Sequence, residues 1–224
     1  MASKPTAPSP ESVATELFAH DLALDSPIVV GADEAGRGPL AGPLIAAAVA
    51  FDRACLESLG DGALTGLDDS KRLTAARREA LVTAIVESAI RVTVVSRSAG
   101  YIDSEGLHNT NRQCLSQAVT VGYLGDDAIR LVDGFELPEC PVTHRKVVKG
   151  DRTSAAIAAA SVIAKVTRDR LMIRAAEDHP GYGFERHKGY ASKDHLASIA
   201  ELGPSPHHRL SFNSKAYGEN GKDA

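Results

Sequence analysis

Residues 154–165 read Ser-Ala-Ala-Ile-Ala-Ala-Ala-Ser-Val-Ile-Ala-Lys. Alanine is the strongest helix former, and its small side chain lets a helix lie close on a sheet. The stretch opens a long helix expected from about Thr153 to Asp178, stopped by Pro180 and Gly181. The strands for such a sheet are legible elsewhere. Ile28–Asp33 and Pro43–Phe51 are apolar runs, and Arg91–Arg97 alternates with period two. Ile129–Asp133 and Arg145–Val148 are two more short strands. Thr74 can cap a helix running to about Ile90, with Leu81, Ala84, Ile85 and Ser88 at helical spacing. Further helices are expected over Gly106–Gly122 and Ser192–Leu202. Five strands, the first two forming a hairpin, with helices between the later ones, give an α/β fold on a mixed five-stranded sheet.

The organisation expected is a single domain over residues 25–217 that ends in a helical part. A flexible or helical lead-in, 1–24, precedes it and a frayed tail, 218–224, follows. The hydrophobic fraction of 43% in 224 residues supports one large core. No run of about 18 apolar residues exists, so no membrane association is expected. The N-terminus lacks an apolar signal core. Three widely spaced cysteines, Cys55, Cys114 and Cys140, suit reduced thiols in a cytoplasm better than disulfides or a zinc site. The net charge is −4, but it is unevenly spread: His144–Tyr217 holds 13 Lys and Arg against 7 Asp and Glu, the rest 12 against 22. A basic C-terminal third suggests a phosphate-binding face, unless it is only a solvated mix of charges.

Three strands end near an acid. Asp33 closes the first and is followed by Glu34, Asp133 closes the fourth, and Asp151 follows the fifth. Open α/β sheets place their sites at strand ends. Four carboxylates sharing one pocket would repel each other. Mg²⁺ or Mn²⁺, hard cations that prefer oxygen ligands, would relieve the repulsion, and two such ions can clamp a phosphodiester. Each Asp could instead be a turn former, and Asp151 a helix cap. Because neighbouring strand residues point to opposite faces, Asp33 and Glu34 share a pocket only where the strand ends or bends. Gly36 and Gly38 allow such a bend and close approach of a ligand, and Arg37 between them matches phosphate. The same glycines could form a simple turn. No Gly-Lys-Ser/Thr follows, which disfavours a P-loop.

With these residues set out, the chain resembles the ribonuclease HII family. The likeness runs through VGADEAGRGPLAGP, LDDSKRLT, IDSEGLHNTN, LVDGF, VVKGDRTSAAIAAASVIAKVTRDR, HKGYASKDH and GPSPHHRLSF, from about Val29 to Phe212. The resemblance implies an RNase H-like fold, with Asp33, Glu34, Asp133 and Asp151 as catalytic acids binding Mn²⁺ or Mg²⁺. It implies cleavage of RNA/DNA hybrids, and of duplex DNA 5′ to an embedded ribonucleotide, leaving 3′-hydroxyl and 5′-phosphate ends. It assigns the 2′-hydroxyl to the Gly36–Arg37–Gly38 backbone and the RNA–DNA junction to Tyr190. Ser70, Lys71, His208 and Arg209 match polar positions near nucleic acid. Lys149, Lys165, Arg168, Lys188 and Arg209 form a possible phosphate track, although Lys165 and Arg168 could simply decorate a helix. About 27 residues precede the first strand, too few for the extra N-terminal domain of ribonucleases HIII. A monomer is the default expectation. Another RNase H-like nuclease would not need the glycines or Tyr190, and a silent binder of polyanions gains nothing from four acids.

Overall fold

A computed structural model describes residues 9–59, 62–121, 124–212 and 217. The tail expected to fray therefore lies outside the described residues. One sheet is built from β1 (Ile28–Ala35), β2 (Leu44–Asp52), β3 (Arg91–Arg97), β4 (Ile129–Asp133) and β5 (Arg145–Val147), in the order β3-β2-β1-β4-β5. β1–β2 and β2–β3 are antiparallel, whereas β1–β4 and β4–β5 are parallel. The helices are α1 (Pro10–Leu22), α2 (Arg53–Leu59), α3 (Ala75–Ser88), α4 (Ala99–Glu105), α5 (Leu107–Thr120), α6 (Ala155–Asp178), α7 (Phe184–His187) and α8 (Lys193–Leu202). The mixed five-stranded sheet and helical C-terminal part thus match the expectation. Among the described residues, no helix is long and apolar enough to cross a membrane.

The alanine-rich segment does what its composition allows. Residues 155–164 of α6 are all buried, and the helix lies so close on β1 that backbone meets backbone. A Cβ added at Gly31 would stand 2.1 Å from the Ile157 nitrogen. The strand period then sorts the core into two layers. Val29, Ile45, Ala47, Val49 and Leu131 face α6, while Val30, Ala32, Ala46, Ala48 and Val132 face Cys114, Leu115 and Ala118 of α5.

The N-terminal segment is more than a lead-in. α1 buries Ala14, Leu17 and Phe18 in the α6 layer, and burying each large apolar side chain contributes about 1.5–3 kcal/mol. Its Asp21, 1% exposed, accepts from the Ser154 hydroxyl at 3.0 Å and the Ala156 N–H at 2.9 Å. Asp21 thereby satisfies an orphan donor at the start of α6. This partner was invisible in the sequence because it lies more than 130 residues away. The segment between β2 and residue 70 contains α2.

Candidate active site

β1 runs on to Ala35, so the strand neither ends nor bends at Asp33 as a shared pocket was expected to require; Asp33 and Glu34 project to opposite sides of the sheet and are coupled only electrostatically, Glu34 raising the pKa of Asp33. Asp33 faces the α6 side, where the Ser161 hydroxyl favours its charged form. Its Oδ1 also accepts from the Glu34 N–H at 2.7 Å. Glu34 turns to the α5 side, near Asn111 and 3.7 Å from Arg37. Parallel pairing of Ala32 with Val132 sets Asp133 beside Asp33 at the ends of adjacent strands. The Asp133 Oδ1 accepts from the Gly150 N–H at 2.6 Å. That contact ties β4 to the 3₁₀ turn Gly150–Arg152, which carries Asp151. Asp151 is buried and does not cap α6, because Ser154 does.

The Asp68–Lys71 turn closes over this edge. Buried Asp69 accepts from Arg152 at 2.9 Å and from the Lys71 N–H at 2.9 Å. Those bonds hold the turn against the segment bearing Asp151. The exposed Lys71 ammonium stands 3.7 Å from Asp151. Burial alone would lower its pKa, but Asp33, Asp69, Asp151 and Asp133 together raise it.

Electrostatically the acids form one group. Burial raises the pKa of Asp33 well above the carboxylate range, and Glu34 and Asp133 push it further. Burial is also the main cause that raises Glu34 to about 7, with Arg37 opposing and Asp133 adding. Asp133 and Asp151 are raised by burial as well, and Asp151 additionally by Asp69 and Asp133. Glu34 Oε2 is buried without a hydrogen-bond partner, and so are both polar atoms of the Asn111 amide. Asn111 favours the charged form of Glu34 yet makes no hydrogen bond of ordinary geometry with it. Four acids held above their usual range, with an orphaned carboxylate oxygen among them, fit a hard divalent cation. Among the described residues, no three of them stand at the spacing of a complete cage.

The loop after β1 brings the other expected residues together. Gly36 is buried with φ +102°, and a Cβ there would lie 2.4 Å from Arg168 Nε and 2.6 Å from the Pro43 carbonyl. Its glycine is required by the protein's own packing. Gly38 is exposed, and the nearest atom to an added Cβ is Tyr190 Cε1 at 4.0 Å. Between them Arg37 lies over the Phe135 ring, 4.8 Å from its centroid. Tyr190 is 46% exposed, with Lys165 and Arg168 on its ring at 5.9 and 5.8 Å.

Known proteins with the same pattern decide the family. The ribonuclease HII family profile matches residues 30–215. Ribonuclease HII of Brucella suis is 50% identical over 186 residues, covering 82% of this chain and 81% of that protein. The chain belongs to the ribonuclease HII family. The corresponding protein of Brucella anthropi is 49% identical over the same shares of each chain. The chain also superposes on ribonuclease H2 from Pyrococcus horikoshii OT3, TM-score 0.71 at 24% identity, over 88% of this chain and all of that one. Ribonuclease HII of Archaeoglobus fulgidus, solved with PCNA, gives 0.66 at 28% identity over 81% and 93%. Bst-RNase HIII in complex with Mn²⁺ gives 0.62 at 21% identity over 100% and 78%. The two likenesses below 25% identity establish the RNase H-like fold. Family membership makes the chain a hydrolytic nuclease of the RNase H type, acting on the RNA strand of RNA/DNA hybrids.

Several residues expected near nucleic acid are interior in this chain. Ser70 is 3% exposed and bonded to Ser161 at 2.8 Å. Arg209, fully buried, donates to the carbonyls of Gly42, Pro43 and Arg37. Arg168, expected either on a phosphate track or as helix decoration, is also buried, and donates to Pro43, Lys188 and Ala41 carbonyls. His208 is 3% exposed. These side chains brace the loops around Gly38 and Tyr190 from behind. Lys71 and Lys149 are exposed, Lys149 in a left-handed conformation at φ 55°. Sequence reasoning missed the parts played by Asn111, Ser161 and Phe135. Asn111 and Phe135 lie in the matched stretches IDSEGLHNTN and LVDGF, but nothing in a one-dimensional pattern says that they turn toward Glu34 and Arg37.

Proposed function

We propose that this member of the ribonuclease HII family is a divalent-metal-dependent endonuclease that cleaves RNA/DNA hybrids and also incises 5′ to single ribonucleotides in duplex DNA. The products are a 3′-hydroxyl and a 5′-phosphate. The observation that carries the reading is the bare backbone of exposed Gly38, four residues along the chain from Glu34, beside the exposed Tyr190 ring, whose Cε1 lies 4.0 Å from where a Cβ on that glycine would stand. A 2′-hydroxyl both donates and accepts a hydrogen bond, so it can be read by a backbone that carries no side chain. The Tyr190 ring offers a flat face to the adjoining deoxyribose.

Asp33, Glu34, Asp133 and Asp151 would hold Mn²⁺ or Mg²⁺. The bound cation supplies Lewis acidity toward the phosphate and toward water. Lys71 offsets the charge of the acids and is exposed enough to meet a phosphate. Arg37, held on Phe135, neutralises Glu34 and fixes the loop whose backbone meets the sugar. Lys149 adds an exposed cation for the phosphate backbone. Ser70, Arg209 and His208 support these groups from the interior.

The test uses end-labelled duplex DNA containing one ribonucleotide, an all-DNA control and a long hybrid, each with and without Mn²⁺. Cleavage on the 5′ side of the ribonucleotide, dependent on metal and absent from the control, is expected. Asp133→Asn should abolish cleavage while the protein stays folded. Wild-type rates from folded Asp133→Asn, or metal-independent cleavage, would remove the acid-site assignment.

A further inference from the structure

Three histidines lie beneath the Tyr190 loop, and their neighbours place each proton. Neutral imidazole has one donor and one acceptor nitrogen. His208 Nδ1 receives the Ser205 N–H at 2.8 Å, with the Ser205 hydroxyl at 2.9 Å. Its proton is therefore on Nε2, which faces His195 Nε2 at 3.1 Å. His195 must accept there, so its own proton is on Nδ1 and goes to the Tyr190 carbonyl at 2.9 Å. The chain thus runs in one direction, from the Ser205 backbone through two buried rings to Tyr190. His187 is fixed likewise: its Nδ1 accepts from the Gly189 N–H, and its Nε2 donates to the Tyr182 carbonyl. Its ring stacks on His195 at 4.2 Å, with Phe184 edge-on to both.

The groups facing His208 are His187, His195, His207 and the rings of Tyr182, Phe184 and Tyr217. Those facing His195 are His187, His208 and Phe184. None is a carboxylate, and burial together with the neighbouring imidazoles lowers both pKa values, that of His208 to about 4. Both rings are neutral at neutral pH, so the polarity of the chain persists. The Tyr190 backbone is gripped at both ends, since its N–H donates to the His187 carbonyl at 3.0 Å. Its ring stands exposed beside Gly38.

We propose that His195, polarised by His208, is a specificity-determining positioning residue: it holds the Tyr190 carbonyl and so aims the ring at the boundary between ribonucleotide and deoxyribonucleotide. This rests on the junction-reading role given to Tyr190 above. A lone ribonucleotide depends on that aim more than a long hybrid does, whereas both substrates meet the same acids and glycines. The ratio of the two cleavage rates therefore isolates the positioning effect.

His195→Asn and His195→Gln separate the two ring nitrogens. The Asn amide can stand where Nδ1–H stood and keep the bond to Tyr190, whereas the Gln amide reaches only toward the Nε2 position. Single-turnover rates on both substrates should show His195→Gln losing about tenfold or more in the lone-ribonucleotide-to-hybrid ratio, as Tyr190→Ala does, since misplacements near 1 Å cost on the order of 10²-fold. His195→Asn should stay within about threefold of wild type. If Tyr190→Ala lowers the ratio and His195→Gln does not, the inference fails while the junction reading stands. If Tyr190→Ala leaves the ratio unchanged, both fail. Equal losses from the Asn and Gln variants would reduce His195 to a packing residue. Nitrogen-15 correlation spectra of the wild-type protein check the same chain without any variant. The proton must reside on Nδ1 of His195 and on Nε2 of His208, and the opposite assignment overturns the proposal.

Discussion

Neighbouring residues of one motif have different reasons to be there, and substitutions should separate them. Gly36 sits at φ +102° with Arg168 and the Pro43 carbonyl in the space of a Cβ. Gly36→Ala should therefore destabilise the fold by about 2 kcal/mol or more, from the left-handed backbone penalty plus the clash. Gly38→Ala meets no such obstacle and should melt within about 1 °C of wild type, while cleavage falls on hybrid and lone-ribonucleotide substrates alike. Thermal melts alongside rates on both substrates decide this, and a strongly destabilised Gly38→Ala would contradict it. Asn111 offers a second contrast. Its buried, unpartnered amide costs stability in the metal-free protein. Asn111→Leu should raise the metal-free melting temperature, by about 1 kcal/mol in stability, and weaken Mn²⁺ binding measured calorimetrically. Unchanged Mn²⁺ affinity would separate Asn111 from Glu34.

Among the elements, α6 organises the site, and its alanines let Ser161 and the 3₁₀ turn before it reach the acids. Its start depends on a carboxylate from α1. Asp21→Ala removes an acceptor from the Ser154 hydroxyl and the Ala156 N–H, a loss on the order of 1–2 kcal/mol by analogy with helix caps. For a chain of this size that corresponds to a fall of roughly 2–8 °C in melting temperature. A melt unchanged by Asp21→Ala would show that α1 is dispensable to the helix. The other bracing elements are the two loops tied through Arg168 and Arg209, which join residues 37–43 to Lys188 and to Arg209 itself.

For the whole molecule, the two kinds of buried titratable group make stability depend on pH in opposite senses. His208 is lowered from 6.5 to about 4. The fold therefore binds fewer protons than the unfolded chain between those values, and stability is present above pH 6.5 and lost as pH falls toward 4. The full loss is at most roughly 3 kcal/mol. Glu34 is raised from 4.5 to about 7, so the metal-free fold binds more protons in that window and loses stability as pH rises through it. Denaturant titrations of the metal-free protein across pH 4–8 should show His208→Gln flattening the acid side and Glu34→Gln flattening the neutral side. The same Glu34 proton must leave when a cation binds, so Mn²⁺ affinity should increase up to about pH 7. An affinity independent of pH would disconnect Glu34 from the metal.

The order of strands and helices was legible because it depends on local periodicity. Arg91–Arg97 and Ile129–Asp133 have the observed bounds, and Thr74 and Ser192 cap the helices that follow them. The acids were legible because charge at the end of an apolar run is conspicuous in one dimension. What the tertiary structure decided is which polar groups face inward. Arg209, His208 and Ser70 read only as polar positions near nucleic acid, because a sequence assigns polarity without direction. They are buried because their donors meet backbone carbonyls and hydroxyls brought in from distant segments. The docking of α1 and the one-way histidine chain beneath Tyr190 depend in the same way on contacts between distant parts of the chain, which only the folded protein brings within hydrogen-bonding distance.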